Sequence, residues 1–217
     1  MKIKVCGMRE AKNILELDEL RMIDWMGFIF YPKSPRYVSE KPSYLPVNSK
    51  RIGVFVNAES QEVLRKVDEF QLDGIQLHGE ETPDYCTFLK TEHPTIFLIK
   101  AFSINRSNLL QNKSNVWGDT PFSMTKAYEG VCDYFLFDTA TKGYGGSGKQ
   151  FDWNILKRYQ GTTPFLLSGG INPDSARACS LFHHEQCIGI DLNSGFEDAP
   201  AVKNVQSIQQ FILQLND

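Results

Sequence analysis

Three glycine-rich turns crowd the last third of the chain, each directly behind a short apolar run. Phe135-Leu136-Phe137-Asp138 leads to Gly143 and then Gly145-Gly146-Ser147-Gly148-Lys149. Pro164-Phe165-Leu166-Leu167 leads to Ser168-Gly169-Gly170, and Ile188-Gly189-Ile190-Asp191-Leu192 leads to Asn193-Ser194-Gly195. A run that is apolar throughout is a strand covered on both faces, as in a parallel sheet. Glycine behind such a strand lets backbone N–H groups approach an anion closely, and a helix starting there adds positive potential. Repeated at consecutive strand ends, the pattern predicts a phosphate cradle and narrows the fold sharply.

The rest of the chain supplies the matching alternation. Strands are predicted at 3–6, 25–30, 52–56, 74–77, 96–101, 134–138, 165–167 and 188–192. Between them, Ala11, Ile14 and Leu15, widened by Leu17 and Leu20, give a helix over 10–22. Val63, Leu64, Val67 and Phe70 give another. Thr82-Pro83 and Asn172-Pro173 each read as a helix cap followed by a first helical residue. Residues 103–121 hold no period and read as an irregular insertion before a short helix near 122–129. Trp153, Ile155 and Leu156 open a further helix, and Val205, Ile208, Phe211, Ile212 and Leu215 stripe the last one. Eight strands alternating with helices in 217 residues predict a single α/β domain spanning 1–217, a (β/α)8 TIM barrel. The rival is an open doubly wound sheet, which expects its glycine fingerprint after the first strand. Here the glycine turns follow the sixth, seventh and eighth strands, where barrels tend to hold phosphate.

Composition excludes several function classes. The net charge of −3 leaves no basic face for duplex nucleic acid, and no apolar stretch approaches the roughly 18 residues of a membrane span. The N-terminal MKIKVCGMRE lacks the apolar core of a signal peptide. An odd count of five cysteines with no C-x-x-C pair fits free thiols in a reducing, cytoplasmic setting. The four histidines show no zinc-type spacing with cysteine, so no metal is expected.

In a barrel every strand ends at one shared mouth. The strand ends here bring Cys6, the Arg36 loop, His78, Asp138, the Gly146 turn, Gly170, Asp191 and Ser194 to it. The first and sixth strands lie three steps apart in a ring of eight, so Cys6 and Asp138 face each other across the mouth. Cys6 is either a small core residue or a thiolate base or nucleophile, which needs a nearby positive influence. Asp138 either caps its loop or is a carboxylic acid with a proton to donate. Arg36, in Ser34-Pro35-Arg36, is either solvated or a fork for a carboxylate. His78 is a polar strand end or a secondary contact, Asp191 organises its loop or binds a hydroxyl, and Lys149 is either a surface residue or a partner for phosphate. Cys86, Cys132, Cys179 and Cys187 read as structural.

Taken together, KVCGMRE, DWMGFIFYPKSPRYV, GVFVN, DGIQLHGEE, FLFDT, GGSGKQFDW, LLSGGINPDSA and GIDLNSGFE stand in an order that closely resembles the N-(5′-phosphoribosyl)anthranilate isomerase family nearly end to end. The resemblance implies an Amadori rearrangement of a phosphoribosyl amine in tryptophan biosynthesis, with no metal or organic cofactor. It implies Asp138 as general acid, Cys6 as general base and Arg36 as the binder of the anthranilate carboxylate. Backbone groups of Gly146, Ser147, Gly169, Gly170, Ser194 and Gly195 would hold the phosphate, with His78 and Asp191 as further substrate contacts. The expected partner is a small phosphorylated substrate, and the protein is expected to be a monomer or homodimer. One departure stands out: Pro200-Ala201 occupies the place where the family has Pro-Gly.

Overall fold

The computed structural model describes residues 1–104, 122–139 and 153–216. Eight strands close a parallel barrel in sequence order: β1 (Lys2–Cys6), β2 (Trp25–Ile29), β3 (Lys50–Phe55), β4 (Gly74–Leu77), β5 (Phe97–Ile104), β6 (Tyr134–Thr139), β7 (Phe165–Leu167) and β8 (Cys187–Leu192). The ring shuts where β1 pairs β8, with Lys4 beside Asp191. The helices are α1 (Ala11–Glu19), α2 (Ser60–Phe70), α3 (Pro83–Glu92), α4 (Ala176–Ser180) and α5 (Val205–Asn216). The predicted (β/α)8 barrel is therefore the observed fold.

Alternation along each strand sorts the residues into two cores. One set, including Val5, Phe28, Phe55, Leu77, Phe135, Phe137, Phe165 and Leu192, packs outward in the main apolar cluster. Fully burying each such side chain contributes about 1.5–3 kcal/mol. The alternate set fills the barrel. Trp25, Phe97 and Tyr134 form its floor, with ring centroids 5.1, 5.2 and 5.6 Å apart. Ile52, Ile99, Ala101, Leu136 and Leu166 fill the middle, and Cys6, Ile29 and Val54 form a small cluster higher up. Apolar filling thus gives way to polar groups toward the end where the strands finish, with Lys4 buried just beneath them.

Several local expectations are corrected. Helix α1 buries Ile14 and Leu17 as expected, but Leu15 is 37% exposed and Asn13 and Asp18 are buried. The polar pair faces inward because each satisfies distant backbone. Asn13 takes the Lys203 N–H at 2.7 Å and donates to the Lys203 carbonyl at 2.9 Å. Asp18 accepts from Tyr44, Val47, Asn48 and Ser49. Strand β5 runs on through Ser103 and Ile104, which pair with Asp138 and Thr139, so the strand occupies the start of the expected insertion. The remainder of that insertion, 105–121, lies outside the described residues. The helices expected near 122–129 and from Trp153 are present as 3-10 segments, Ser123–Tyr128 and Trp153–Arg158, a form suited to short connectors. Asn172 caps and Pro173 opens a short 3-10 turn that runs into α4, as the sequence predicts.

A hairpin escaped the sequence reading. Strands β9 (Glu197–Ala199) and β10 (Val202–Lys203) pair antiparallel around Pro200-Ala201. Ala201 turns the corner in the left-handed region, at φ 68°, and is fully buried. This is the conformation that favours glycine. The hairpin delivers Lys203 inward, and the Asn204 side chain then takes the Ser207 N–H at 2.8 Å at the start of α5.

Candidate active site

The strand ends surround a cleft open to solvent. Cys6 from β1, Gln76 and His78 at the end of β4, Asp138 from β6 and Asp191 from β8 line it, with the Ser168–Gly170 turn and Asn193-Ser194 on one side. Ile29, Val54 and Val56 supply an apolar wall. Of the residues expected from sequence, Cys6, His78, Asp138, Gly169, Gly170, Asp191 and Ser194 come together here. Gly169 and Gly170 both have positive φ, 85° and 73°, which is why this turn is built from glycine. Gly195 lies just beyond the lining. A side chain there would run into the Ile171 carbonyl, so its missing Cβ lets the β7 and β8 turns touch. Gly146, Ser147 and Lys149 fall outside the described residues.

Arg36 sits behind this cleft rather than in its lining, and it is mostly buried. Its Nε donates to Glu197 Oε1 at 2.8 Å and its Nη2 to Glu197 Oε2 at 2.6 Å, leaving Nη1 outside the pair. Hydrogen bonding to Glu197 holds the guanidinium firmly protonated. Burial opposes charge on Glu197, yet Arg36 and Lys203 outweigh it and keep the carboxyl below its ordinary value. Lys203 Nζ bonds both Glu197 and Asn193 Oδ1, the latter at 2.9 Å. The loop arginine is thus a preset fork anchored by the hairpin.

Beneath the mouth lies a second charged group. Lys4 is fully buried, and its Nζ donates to Asp191 Oδ1 at 2.8 Å. Burial works against its charge, but Asp191 and then Cys6 overcome that and raise its pKa. Burial likewise pushes Asp191 up from the usual carboxylate range, with Lys4 pulling it back. Burial also raises the Cys6 thiol, opposed first by Lys4.

Across the cleft, Gln76 Nε2 lies 3.0 Å from His78 Nδ1, and His78 Nε2 lies 3.6 Å from Asp138 Oδ2. Glu81 and Lys100 steady the loop that carries His78. Glu81 accepts the Gly79 and Asn57 N–H groups, while Lys100 Nζ donates to the Gly79 carbonyl at 2.8 Å. Cys86, Cys132, Cys179 and Cys187 are absent from the lining, in keeping with structural roles. Burial pushes Cys179 up to about 12 and Cys187 up to about 11, which keeps both as inert thiols.

Sequence reading missed Lys4, Gln76, Glu197 and Lys203. A signal was available for the first: a lysine flanked by Ile3 and Val5 in a strand buried on both faces is rare unless it is paired. Glu197 and Lys203 carried no such sign, because the hairpin that turns them inward was not recognised. Among the described residues no cluster of histidine, cysteine and carboxylate side chains is placed to hold a metal ion.

A family model described as N-(5′-phosphoribosyl)anthranilate (PRA) isomerase matches residues 3–214. The N-(5′-phosphoribosyl)anthranilate isomerase of Phocaeicola vulgatus is 54% identical over 215 residues, covering 99% of this chain and 98% of that protein. The crystal structure of phosphoribosyl anthranilate isomerase from Thermotoga maritima superposes with a TM-score of 0.76 at 32% identity, covering 100% of this chain and 98% of that one. A further phosphoribosyl anthranilate isomerase, solved in complex with reduced 1-(o-carboxyphenylamino)-1-deoxyribulose 5-phosphate, superposes at 0.71 with 28% identity and covers 100% of this chain and 98% of its own. With its barrel, its cleft and a match running from β1 into the last helix, this chain belongs to the N-(5′-phosphoribosyl)anthranilate isomerase family.

Proposed function

We propose that this chain, working as one barrel domain, converts N-(5′-phosphoribosyl)anthranilate to 1-(o-carboxyphenylamino)-1-deoxyribulose 5-phosphate in tryptophan biosynthesis. Cys6 and Asp138 carry the acid–base chemistry. The observation that supports this most directly is that both line one cleft, with the Ser168–Gly170 and Asn193-Ser194 turns beside them. A phosphate held by those turns places the attached ribose between sulfur and carboxyl.

Asp138 gives its proton to the furanose ring oxygen as the C1–O bond breaks, and the anthranilate nitrogen lone pair forms the C1=N bond of a Schiff base. Cys6 then takes the proton from C2. The C–H electrons form C1=C2, and the C1=N electrons return to nitrogen. The resulting enolamine tautomerises to the ketone by gaining a proton at C1 and losing the one on the C2 hydroxyl, so no net proton is gained. The substrate's own amine is the electron sink, so the reaction needs no cofactor. Arg36, with Nη1 outside its pair with Glu197, receives the anthranilate carboxylate when the substrate sits over it. His78 and Asp191 contact the ribose, and Gly146, Ser147 and Gly195 join the phosphate cradle. The reaction runs in the cytoplasm, and the protein acts as a monomer or homodimer. A related synthase chemistry that relies on a lysine acid is less well served, because no lysine is among the described residues of the lining.

The test is a turnover assay with phosphoribosylanthranilate, followed through the loss of its fluorescence. Conversion is the expected result, and a folded protein that leaves the fluorescence unchanged overturns the proposal.

A further inference from the structure

We infer that Lys4 is the positioning residue for Cys6: its ammonium, buried under the mouth between the sulfur and the Asp191 carboxylate, stabilises the thiolate that accepts the substrate proton. The inference rests on the reading of Cys6 as the base. Lys4 and Cys6 stand two apart on β1 and share its inward face. Both converge on Gly27, the register partner of Cys6 on β2. A Cβ at Gly27 would lie 2.9 Å from Cys6 Sγ and 3.2 Å from Lys4 Nζ, so the two atoms are within about 6 Å of each other. An opposite charge within about 4–6 Å typically moves a pKa by 1–3 units. The same glycine leaves the space in which they meet.

Other charges face the sulfur from the neighbouring elements. Asp191 comes from β8, Lys203 from β10 and Arg36 from the loop after β2. Asp138 and His78 in turn face Asp191. Arg36 and Lys203 are committed to Glu197, and burial drives the Lys203 pKa down. Lys4 differs, since its pKa is raised and its charge persists. It is also the strongest of the influences that counter the burial of the thiol. A lysine fully enclosed beneath a catalytic mouth, with no route to the substrate, acts through the group above it.

The experiment is an ultraviolet thiolate titration, taken as the difference between each protein and the same protein carrying Cys6→Ser, alongside the pH profile of kcat/KM. Lys4→Met is expected to move the Cys6 midpoint upward by about 1–3 pH units, carrying the rising limb of kcat/KM with it while KM changes little. Asp191→Asn is expected to move the midpoint downward, because it removes the carboxylate that opposes the thiolate. The double variant Lys4→Met/Asp191→Asn leaves neither charge buried alone, which protects the fold. It keeps an upward shift because Lys4 acts on the sulfur more strongly than Asp191 does. A wild-type midpoint in the folded double variant overturns the inference, as does a fall in kcat for Lys4→Met with an unmoved limb. Full turnover by Cys6→Ser would instead remove the base assignment, and with it any catalytic use of Lys4. The thiolate titration reads the Lys4–Cys6 coupling in either case, so the two failures are told apart.

Discussion

At the scale of single residues, the proposed acid–base pair is a thiol and a carboxyl that lie far apart in the chain and line one cleft. A positioned acid or base contributes about 10²–10⁴-fold. Cys6→Ser and Asp138→Asn should each therefore lower kcat by about a hundred-fold or more, while inorganic phosphate still binds; near-normal turnover in either would remove that residue from the mechanism. Arg36→Met should raise KM about ten-fold, equivalent to about 1.4 kcal/mol of binding, and an unchanged KM would end its carboxylate role. That Cys6 and Asp138 reach the cleft is legible in the sequence, because each stands at or beside the end of its strand, where the apolar run stops. Their supports are not. Lys4 finds its carboxylate 187 positions away and Arg36 finds Glu197 at 161 positions, separations that no local pattern encodes.

The elements were readable to the extent that their residues obey a period. All eight strands were, since each is a short run enclosed on both sides. The short helices expected near 122–129 and from Trp153 are the 3-10 segments Ser123–Tyr128 and Trp153–Arg158, a form that short sequence patterns do not separate from the α-helix. Ile14 and Leu17 mark the buried face of α1 correctly, but Leu15 does not belong to it and Asn13 and Asp18 do, because those two look like solvent residues until their partners are known. Asp18 holds the 44–49 segment through bonds from Tyr44, Val47, Asn48 and Ser49. Burial resists its charge, but those bonds outweigh it and keep the carboxyl below its ordinary value. Asp18→Ala should cost about 1–3 kcal/mol at neutral pH, chiefly through the buried Ser49 donors it leaves unpaired. The wild-type advantage is fully present above the unfolded-state pKa of about 3.9 and is lost as pH falls through the lower folded value. Denaturant melts at neutral and acid pH check this: a gap between the two proteins that widens in acid would contradict it.

Over the whole molecule, stability and chemistry occupy opposite ends of the barrel. The aromatic floor of Trp25, Phe97 and Tyr134 lies beneath an aliphatic middle layer, while the polar groups gather at the mouth. Trp25→Ala should therefore cost about 3–5 kcal/mol of stability. Assayed below its lowered melting temperature, it should keep a kcat close to wild type; a kcat loss as large as that of Cys6→Ser would show the two ends to be coupled.

The seam between β1 and β8 has a consequence for synthesis. A ribosome releases the sulfur-bearing strand well before the strand that must clasp it, Gly189–Leu192. Until that late partner emerges, Lys4 has no counter-ion and the sulfur has no chamber. The mouth therefore cannot shut around the sulfur before the eighth strand docks, and the fork at Arg36 waits longer still, for the hairpin that carries Glu197.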